Sequence, residues 1–174
     1  MAGVMTDRAS EGLPYTDRKP EGAADFYFAI NATFRFLIEE QPAGVWEEYL
    51  EQLGREYFEP VNERWKEQGI SAVADYWRAF FSAEPESVVE VLEGQDHVEI
   101  VVKECPAIHH FRAEGRAPVE RFCEHCDVLG QTRAREAGMA MRLEGGNGCC
   151  HHHYFKNPQE APPPVAGAIR KATL

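Results

Sequence analysis

Cysteine and histidine are concentrated in the last third of this 174-residue chain. All five cysteines lie between Cys105 and Cys150, and six of the seven histidines lie between His109 and His153. Thiolate and imidazole are the side-chain ligands that zinc and related metal ions prefer. The distribution therefore predicts a metal site assembled from segments that are distant in sequence.

Two of these segments have spacings that suit a metal. Cys105 precedes Pro106, which favours the first position of a helix, so Cys105 would stand at the N-cap with His109 one turn along the same side. Cys123 and Cys126 are three residues apart, a spacing at which two thiolates on one helix reach the same ion. Three cysteines with a further cysteine or histidine would suit zinc, and four cysteines would also suit an iron–sulfur cluster.

The third segment, residues 149–153, has the sequence Cys-Cys-His-His-His and is predicted to form a strand. Side chains alternate along a strand, so Cys149, His151 and His153 would share a face with Phe155. Phe155 is the largest apolar residue there, and its face is expected to be the buried one. Cys149, with His151 or His153, would then point to the site, unless a bulge at the preceding glycine reverses the two faces.

Each segment also has a purely structural explanation. Free cysteine is among the most buried residue types, so Cys105 would fit a buried strand end. Cys123 and Cys126 would also fit the apolar face of a helix as small hydrophobic residues, and the histidine run would fit a solvated strand. We prefer the metal site because ligand-type residues occur in all three segments.

The first half of the chain is predicted to be helical. Apolar residues recur at helical spacing over residues 24–40 and 45–58, around Trp65, and in a helix that Ser71 is expected to cap. Core packing explains the aromatic residues of these helices and is the preferred interpretation. The alternative is that they enclose an apolar ligand, formed by Phe26, Phe34, Trp77, Phe80 and Phe81.

The second half changes period and predicts two hairpins separated by two helices. The segments are 87–92 and 97–104, then 105–111 and 117–137, then 139–143 and 149–155. The order, four helices followed by ββααββ, predicts an α+β domain whose N-terminal helices pack on an antiparallel sheet.

One domain is expected, over residues 23–156, with a helical half at 23–84 and the metal-site half at 85–156. Residues 1–22 mix charges with glycine and proline and are predicted to be a flexible arm. Residues 157–174 contain three consecutive prolines and are predicted to be a loose, proline-rich tail.

The composition of the chain limits the classes of molecule that it could bind. A formal net charge of -11 and a pI near 5.1 argue against binding to nucleic acid or to an anionic membrane. The chain has no apolar stretch near the ~20 residues of a membrane span and no apolar signal segment, which predicts a cytoplasmic protein. Its cysteines are then expected to be reduced. A small molecule is the expected partner, and the acidic surface leaves room for a homo-oligomer.

The cysteine motifs resemble those of the L-2-amino-thiazoline-4-carboxylic acid hydrolase-like family over residues 85–155. The matching segments are 104–106 (Glu-Cys-Pro), 122–127 (Phe-Cys-Glu-His-Cys-Asp), Gly138 and 145–150 (Gly-Gly-Asn-Gly-Cys-Cys). The resemblance implies metal- or cysteine-dependent hydrolysis of a small heterocyclic or amide substrate. In outline the chain is also similar to four-vinyl-reductase-type small-ligand-binding domains, although its cysteine and histidine cluster is denser than theirs.

Two functions follow from this resemblance. In a hydrolase the metal would be held by Cys105, Cys123 and Cys126, with Cys149 or His109 in the fourth place. Its acid–base residues would be Glu124, Asp127 and His151. A metal-free enzyme would instead use Cys105 as the nucleophile and His109 as the base. The alternative is a non-catalytic small-ligand-binding or sensing domain in which a closed zinc or iron–sulfur site stabilises the fold.

Overall fold

A computed structural model describes residues 23–84 and 86–174. The predicted flexible arm, residues 1–22, lies outside the described residues. Within the described chain, helices cover most of the first half and an antiparallel sheet of four strands forms in the second. The α+β class predicted from the sequence is therefore confirmed. None of the described helices is both long and apolar enough to cross a membrane.

Four α-helices occupy the first half. They are α1 (Phe26–Glu39), α2 (Val45–Gln52), α3 (Glu59–Gln68) and α4 (Ile70–Ala83). The α4 helix begins after Gly69, whose φ of 77° only glycine adopts readily, so Ser71 lies inside the helix and does not cap it.

A π-helical turn, Leu53–Tyr57, continues α2 where the sequence predicted one uninterrupted α-helix. The turn brings the backbone of Gly54 against α6, defined below. A Cβ added at Gly54 would lie 2.8 Å from the Cγ2 atom of Thr132. The freed carbonyl of Gly54 accepts a hydrogen bond of 2.7 Å from Nδ2 of Asn62. Close helix packing and this side-chain partner stabilise the wider turn.

The second half contains both predicted hairpins and two helices between them. In chain order they are β1 (Val88–Glu93), β2 (His97–Glu104), α5 (Pro106–Ala113), α6 (Glu124–Glu136), β3 (Ala140–Gly146) and β4 (Cys149–Phe155). The strands lie in the order β1-β2-β4-β3 and all pairs are antiparallel. The helices pack on one face of this sheet, and its other face carries both polar and apolar side chains, among them Glu99, His151 and Leu92.

The α6 helix begins at Glu124, seven residues later than the predicted helix 117–137. Pro118 disfavours a helical conformation at the residue before it. Asn31 of α1 then holds the backbone on both sides of Pro118, through hydrogen bonds of 3.2 and 2.8 Å. Cys123 therefore stands at the N-cap of α6 rather than inside a longer helix.

Two clusters of buried residues form the core. The larger one joins α3, α4 and α6 to the inner face of the sheet, and its fully buried members include Trp65, Val73, Ile100 and Tyr154. The smaller one joins α1, α2 and α5 and is built around Phe34, Trp46, Leu50, Ile108 and Phe111. Cys105 packs against both clusters, which places the residue at their junction.

The end of the predicted loose tail is held against the domain. Gly145 of the edge strand β3 accepts a backbone hydrogen bond from Arg170 and donates one of 2.9 Å to Ala168. The backbone N–H of Ala172 donates to Glu120 at 2.8 Å, and Ala172 is only 2% exposed. An edge strand has unpaired backbone groups, and the tail satisfies some of them. These hydrogen bonds join backbone groups, which every residue has. The residue types of the tail therefore do not indicate the pairing.

Candidate functional site

A cavity of about 440 Å³ is lined by residues of both core clusters. All described α-helices except α3 contribute to its wall, as do the π-helical turn and the strands β2, β3 and β4. Aromatic side chains form much of that wall, namely Phe34, Phe58, Trp77, Phe80, Phe81 and Phe122. Small-molecule sites are typically concave, mostly apolar and about 300–1,000 Å³ in volume. The cavity has the size and the lining of such a site.

The cavity wall is exposed mainly where α1 faces α2 and the π-helical turn. Ile30 and Thr33 of α1, Tyr49 of α2 and Tyr57 of the turn line the cavity and are also exposed to solvent. Lining residues from α4, α6 and β4 are buried or half-buried. A ligand would therefore enter between α1 and the π-helical turn.

The aromatic stripe predicted from the sequence is only partly explained by core packing. Trp77, Phe80 and Phe81 pack against the larger cluster and also face the cavity, as Phe34 does from the smaller cluster. Phe26 is 66% exposed and lines no wall. The other four aromatic residues, Phe34, Trp77, Phe80 and Phe81, fit the alternative interpretation, in which they enclose an apolar space.

Four of the five cysteines face this cavity. Cys105 precedes α5, Cys123 and Cys126 belong to the start of α6, and Cys150 lies on β4. Burial raises the pKa of Cys105 to about 12, of Cys123 to about 11 and of Cys126 to about 12. Burial raises the pKa of Cys150 as well. These thiols are therefore protonated and uncharged at neutral pH.

Taken in threes, the donor atoms around the cavity are farther apart than the ligands of one metal ion in this arrangement. Ligand atoms around one tetrahedral ion lie roughly 3–4 Å from each other, given metal–ligand distances of about 2.0–2.3 Å. In residues 23–84 and 86–174, no three thiol or imidazole donors around the cavity lie within 4.8 Å of one another. Cys105, Cys123 and Cys126 are thus brought to one cavity but not to coordinating distance.

Cys149 and His109, the predicted fourth ligands, lie outside the cavity. Cys149 is exposed, and Arg170 donates to its Sγ at 3.4 Å. Both ring nitrogens of His109 contact carboxylates at the surface, Glu104 at 2.6 Å and Glu86 at 2.8 Å. The hydrogen bond with Glu104 raises the pKa of His109. His109 thus contacts two surface carboxylates and does not line the cavity that Cys105 faces.

The inward face of β4 is the opposite of the one predicted. Cys150, His152 and Tyr154 point to the helices, and Cys149, His151 and His153 point away. The reason lies in the pairing with β2, where Val98, Ile100 and Val102 are opposite Tyr154, His152 and Cys150. Directly paired residues share a face of the sheet. The apolar alternation of β2 could have identified this face, whereas the prediction used Phe155 at the end of β4.

The three predicted acid–base residues do not meet. Glu124 accepts a hydrogen bond of 2.8 Å from Arg121, and Asp127 accepts one of 2.8 Å from Gln131. Burial raises the pKa of Asp127, which nevertheless does not line the cavity. His151 lies on the outer face of the sheet and contacts Glu99. Glu124 and Asp127 lie one turn apart on α6, and His151 lies apart from them on the sheet.

Two histidines that the sequence did not single out as ligands line the cavity. Burial lowers the pKa of His152 to about 3 and also lowers the pKa of His125. Both imidazoles are therefore neutral at pH 7. Each lies beside a thiol, with 3.3 Å between Nε2 of His152 and Sγ of Cys150, and 3.4 Å between Nε2 of His125 and Sγ of Cys126.

Arg133 is the most unusual residue of the site. It is 2% exposed, and its Cζ atom lies 4.2–4.4 Å from the ring centres of Phe58, Trp65 and Tyr76. Its Nε and Nη2 atoms are buried and have no hydrogen-bond partner within the part of the chain that the structure describes. Arginine keeps its charge in proteins, and an unpaired buried charge is costly.

Arg133 also supplies the formal charge of the cavity. Among the described lining residues it is the only arginine, lysine, aspartate or glutamate, and the lining thiols and imidazoles are uncharged. Trp77 lies between Arg133 and His152, with its ring centre 5.9 Å from Cζ of Arg133 and 5.7 Å from the His152 ring centre. The arrangement can accept an acidic group from a ligand whose remainder is apolar.

A second cluster lies on the outer face of the sheet. Donor atoms of Glu99, His151 and His153 lie within 4.8 Å of one another, which is close enough for one metal ion to be held after small side-chain movements. Nδ1 of His151 is 2.6 Å from a carboxylate oxygen of Glu99. Among the described residues this His/Glu cluster therefore has the donor spacing that a metal ion requires.

The five thiols are expected to differ sharply in reactivity. Cys149 is the exposed one, and the four cavity thiols are protonated and half-buried. Because the thiolate is the reactive form, Ellman's reagent should modify one thiol rapidly at pH 7.5 and the others only after unfolding. Cys149→Ser should abolish the rapid phase, and Cys123→Ser is the matched control. A rapid phase that survives in Cys149→Ser would contradict the placement.

Comparisons of this chain with protein-family models, with curated proteins and with solved structures found no match. The cavity and the groups that face it are therefore the features that bear on function.

Proposed function

We propose that this protein binds a small, largely apolar molecule that carries one acidic group. The observation that carries the proposal is Arg133, which lies in the wall of an apolar cavity and whose buried Nε and Nη2 atoms have no hydrogen-bond partner among the described residues. A carboxylate would supply the missing charge and accept hydrogen bonds from the guanidinium. The surrounding aromatic side chains would cover the apolar body.

The charge balance of the cavity favours an anion over a neutral or cationic ligand. No acidic side chain lines the described wall, so a cation would meet Arg133 without compensation. A neutral ligand would leave the guanidinium unpaired. Hydrogen bonds to charged groups contribute about 1.5–3 kcal/mol each, enough to set a preference of roughly 10- to 100-fold. The family that the cysteine motifs resemble is itself named for a carboxylic acid.

Hydrolysis of the bound molecule is a second proposal, favoured by the Cys150–His152 pair. A thiol 3.3 Å from an imidazole is the pairing that cysteine-dependent hydrolases use. This pair faces the cavity, whereas in the pair expected from the sequence only Cys105 does so, and His109 lines with Cys105 a separate hollow at the surface. Binding remains the preferred function because burial raises the pKa of the thiol and lowers that of the imidazole, which opposes formation of the thiolate.

A matched pair of ligands tests the binding proposal. Phenylbutanoate and phenylbutanol share an apolar body and differ in the acidic group. Quenching of tryptophan fluorescence should show that the acid binds at least about 10-fold more tightly than the alcohol. Decanoate and decanol repeat the comparison with a flexible chain. Equal affinity for acid and alcohol, or no binding of either acid below about 1 mM, would contradict the proposal.

The hydrolase proposal has a separate readout. Incubation of the protein with N-(phenylbutanoyl)glycine, which keeps a carboxylate beside a hydrolysable amide, followed by mass spectrometry, would reveal release of phenylbutanoate and glycine. Cys150→Ser should abolish that release if the thiol is the nucleophile, and Cys149→Ser is the control on the neighbouring residue. Binding of the acid without any release would leave the first proposal in place and contradict the second.

A further inference from the structure

We infer that the outer face of the sheet binds a divalent transition-metal ion through Glu99, His151 and His153. This site is distinct from the cavity, because alternate residues of a strand point to opposite faces. His152 lines the cavity, and its two neighbours in sequence point away from it. The inference therefore does not depend on the proposed function.

The sheet itself positions the three ligands. His151 and His153 are two residues apart on β4 and so project from the same face, with ring centres 6.0 Å apart and nearly parallel rings. Glu99 on β2 pairs directly with His153 and reaches His151 diagonally. Backbone pairing on both sides of β4 fixes these positions. Ligands on paired strands need only side-chain rotation to converge.

The distances are compatible with coordination after a small opening. The contact of 2.6 Å between His151 and Glu99 is a hydrogen bond in the absence of metal. Two atoms that each lie about 2.0–2.1 Å from a tetrahedral ion are roughly 3.3 Å apart. Both side chains are partly exposed, at 44% for His151 and 24% for Glu99, which leaves them room to move.

A second carboxylate adds negative charge at the same place. Glu144 on β3 pairs with His151, and its Oε1 atom lies 3.6 Å from Nε2 of His153. Arg142, the cation opposite His153, is engaged elsewhere through hydrogen bonds of 2.6 and 2.7 Å to the carbonyls of Pro162 and Met141.

The donor set points to zinc, cobalt, nickel or copper. Imidazole suits these ions, and a carboxylate completes a set of three protein ligands. Calcium and magnesium prefer sites made of oxygen ligands alone. With Glu144 as a fourth ligand the site would be closed, and without it one position would remain for water.

Cobalt(II) is the most informative probe, since its absorption distinguishes nitrogen and oxygen ligands from thiolates. Titration of untagged protein at pH 7.5, followed by calorimetry and absorbance, should show one ion per chain and visible d–d bands. It should show no thiolate-to-cobalt charge-transfer band in the near ultraviolet. A strong charge-transfer band, or no binding at about 100 μM cobalt, would overturn the inference, since the latter is weaker than a three-ligand site should be.

Variants on the two faces of β4 separate this site from the cavity. His151→Gln combined with His153→Gln should weaken cobalt binding about 100-fold or more, because even loss of an outer-shell partner costs about 10- to 100-fold. Cys126→Ser combined with Cys150→Ser should bind cobalt as the parent does. The opposite pattern would assign the metal to the cavity thiols. Preference for acids over alcohols should be unchanged in the histidine variant, so either proposal can fail alone.

Discussion

Replacement of Arg133 by methionine is expected to stabilise the ligand-free protein by about 1 kcal/mol while removing its preference for acids over alcohols. The two effects have opposite signs because Arg133 is a buried charge without a hydrogen-bonding partner for Nε or Nη2 in the described chain. Urea unfolding would measure the first effect, and tryptophan fluorescence with the matched ligands would measure the second. If Arg133 served only the fold, its replacement would lower the free energy of unfolding and would leave the preference for acids over alcohols unchanged.

The expected sign of the stability change comes from comparing two contributions. Removing a charge from water costs on the order of several kcal/mol even after the protein relaxes. Stacking on the rings of Phe58, Trp65 and Tyr76 offsets part of that cost, at about 0.5–2 kcal/mol for each ring. Methionine is flexible and keeps favourable sulfur–aromatic contacts in the same space. A small net gain is therefore expected.

Two further variants make this result interpretable. Arg135→Met changes an exposed arginine of the same helix and should alter neither stability nor acid preference appreciably. Arg133→Lys keeps the charge but loses the planar group that lies among three rings, and should retain part of the preference. A loss of more than about 1 kcal/mol in Arg133→Met with unchanged acid preference would contradict the proposed role of Arg133.

The fold was largely predictable because its elements follow local patterns. Helical periodicity indicated α1 and α4, and valine-rich segments around a polar turn indicated the β1–β2 hairpin. Prediction failed where a distant residue decides the local structure. Asn31 hydrogen-bonds to the backbone on both sides of Pro118, where no helix forms, and α6 begins only at Glu124. Nothing in the local sequence reports that contact.

The candidate site was also predictable only in part, because some of its residues follow a local sequence pattern and others do not. Concentration of cysteine in one part of the chain correctly suggested that the thiols face a common place, and Cys105, Cys123 and Cys126 do line one cavity. Arg133 could not be identified, because arginine is rarely buried and its position near the end of a helix suggests solvent exposure. The cavity itself results from packing and leaves no pattern in the sequence.

Acidification is expected to destabilise the protein because His152 is buried as a neutral imidazole. Burial lowers its pKa from 6.5 to about 3. Between these values the unfolded chain binds one proton more than the folded chain, so the free energy of unfolding falls by about 1.4 kcal/mol for each pH unit of acidification. A change from pH 7 to pH 5 should therefore remove roughly 2 kcal/mol through His152 alone.

Other titrating groups also change the free energy of unfolding on acidification, each in a direction that follows from its pKa shift. His125 adds to the loss, since burial lowers its pKa too. His109 acts in the opposite direction because Glu104 raises its pKa, so its contribution is present below pH 6.5 and is lost as the pH rises. Burial raises the pKa of Asp127, which favours the folded state as the carboxyl group is protonated. His109 is at the surface, where solvent screening keeps its effect small.

Urea unfolding at pH 7 and pH 5 would measure the acid-induced loss in the parent and in His152→Leu. Leucine removes the titrating group from an apolar site, so the loss between the two pH values should be clearly smaller in this variant whatever its absolute stability. His109→Leu is the matched control and should leave the loss unchanged or slightly larger. In the parent, the His152 ring proton resonance should keep its neutral position down to pH 5. Titration of that resonance near pH 6.5, or an undiminished loss in His152→Leu, would show that the imidazole is accessible to water and that the cavity wall opens there.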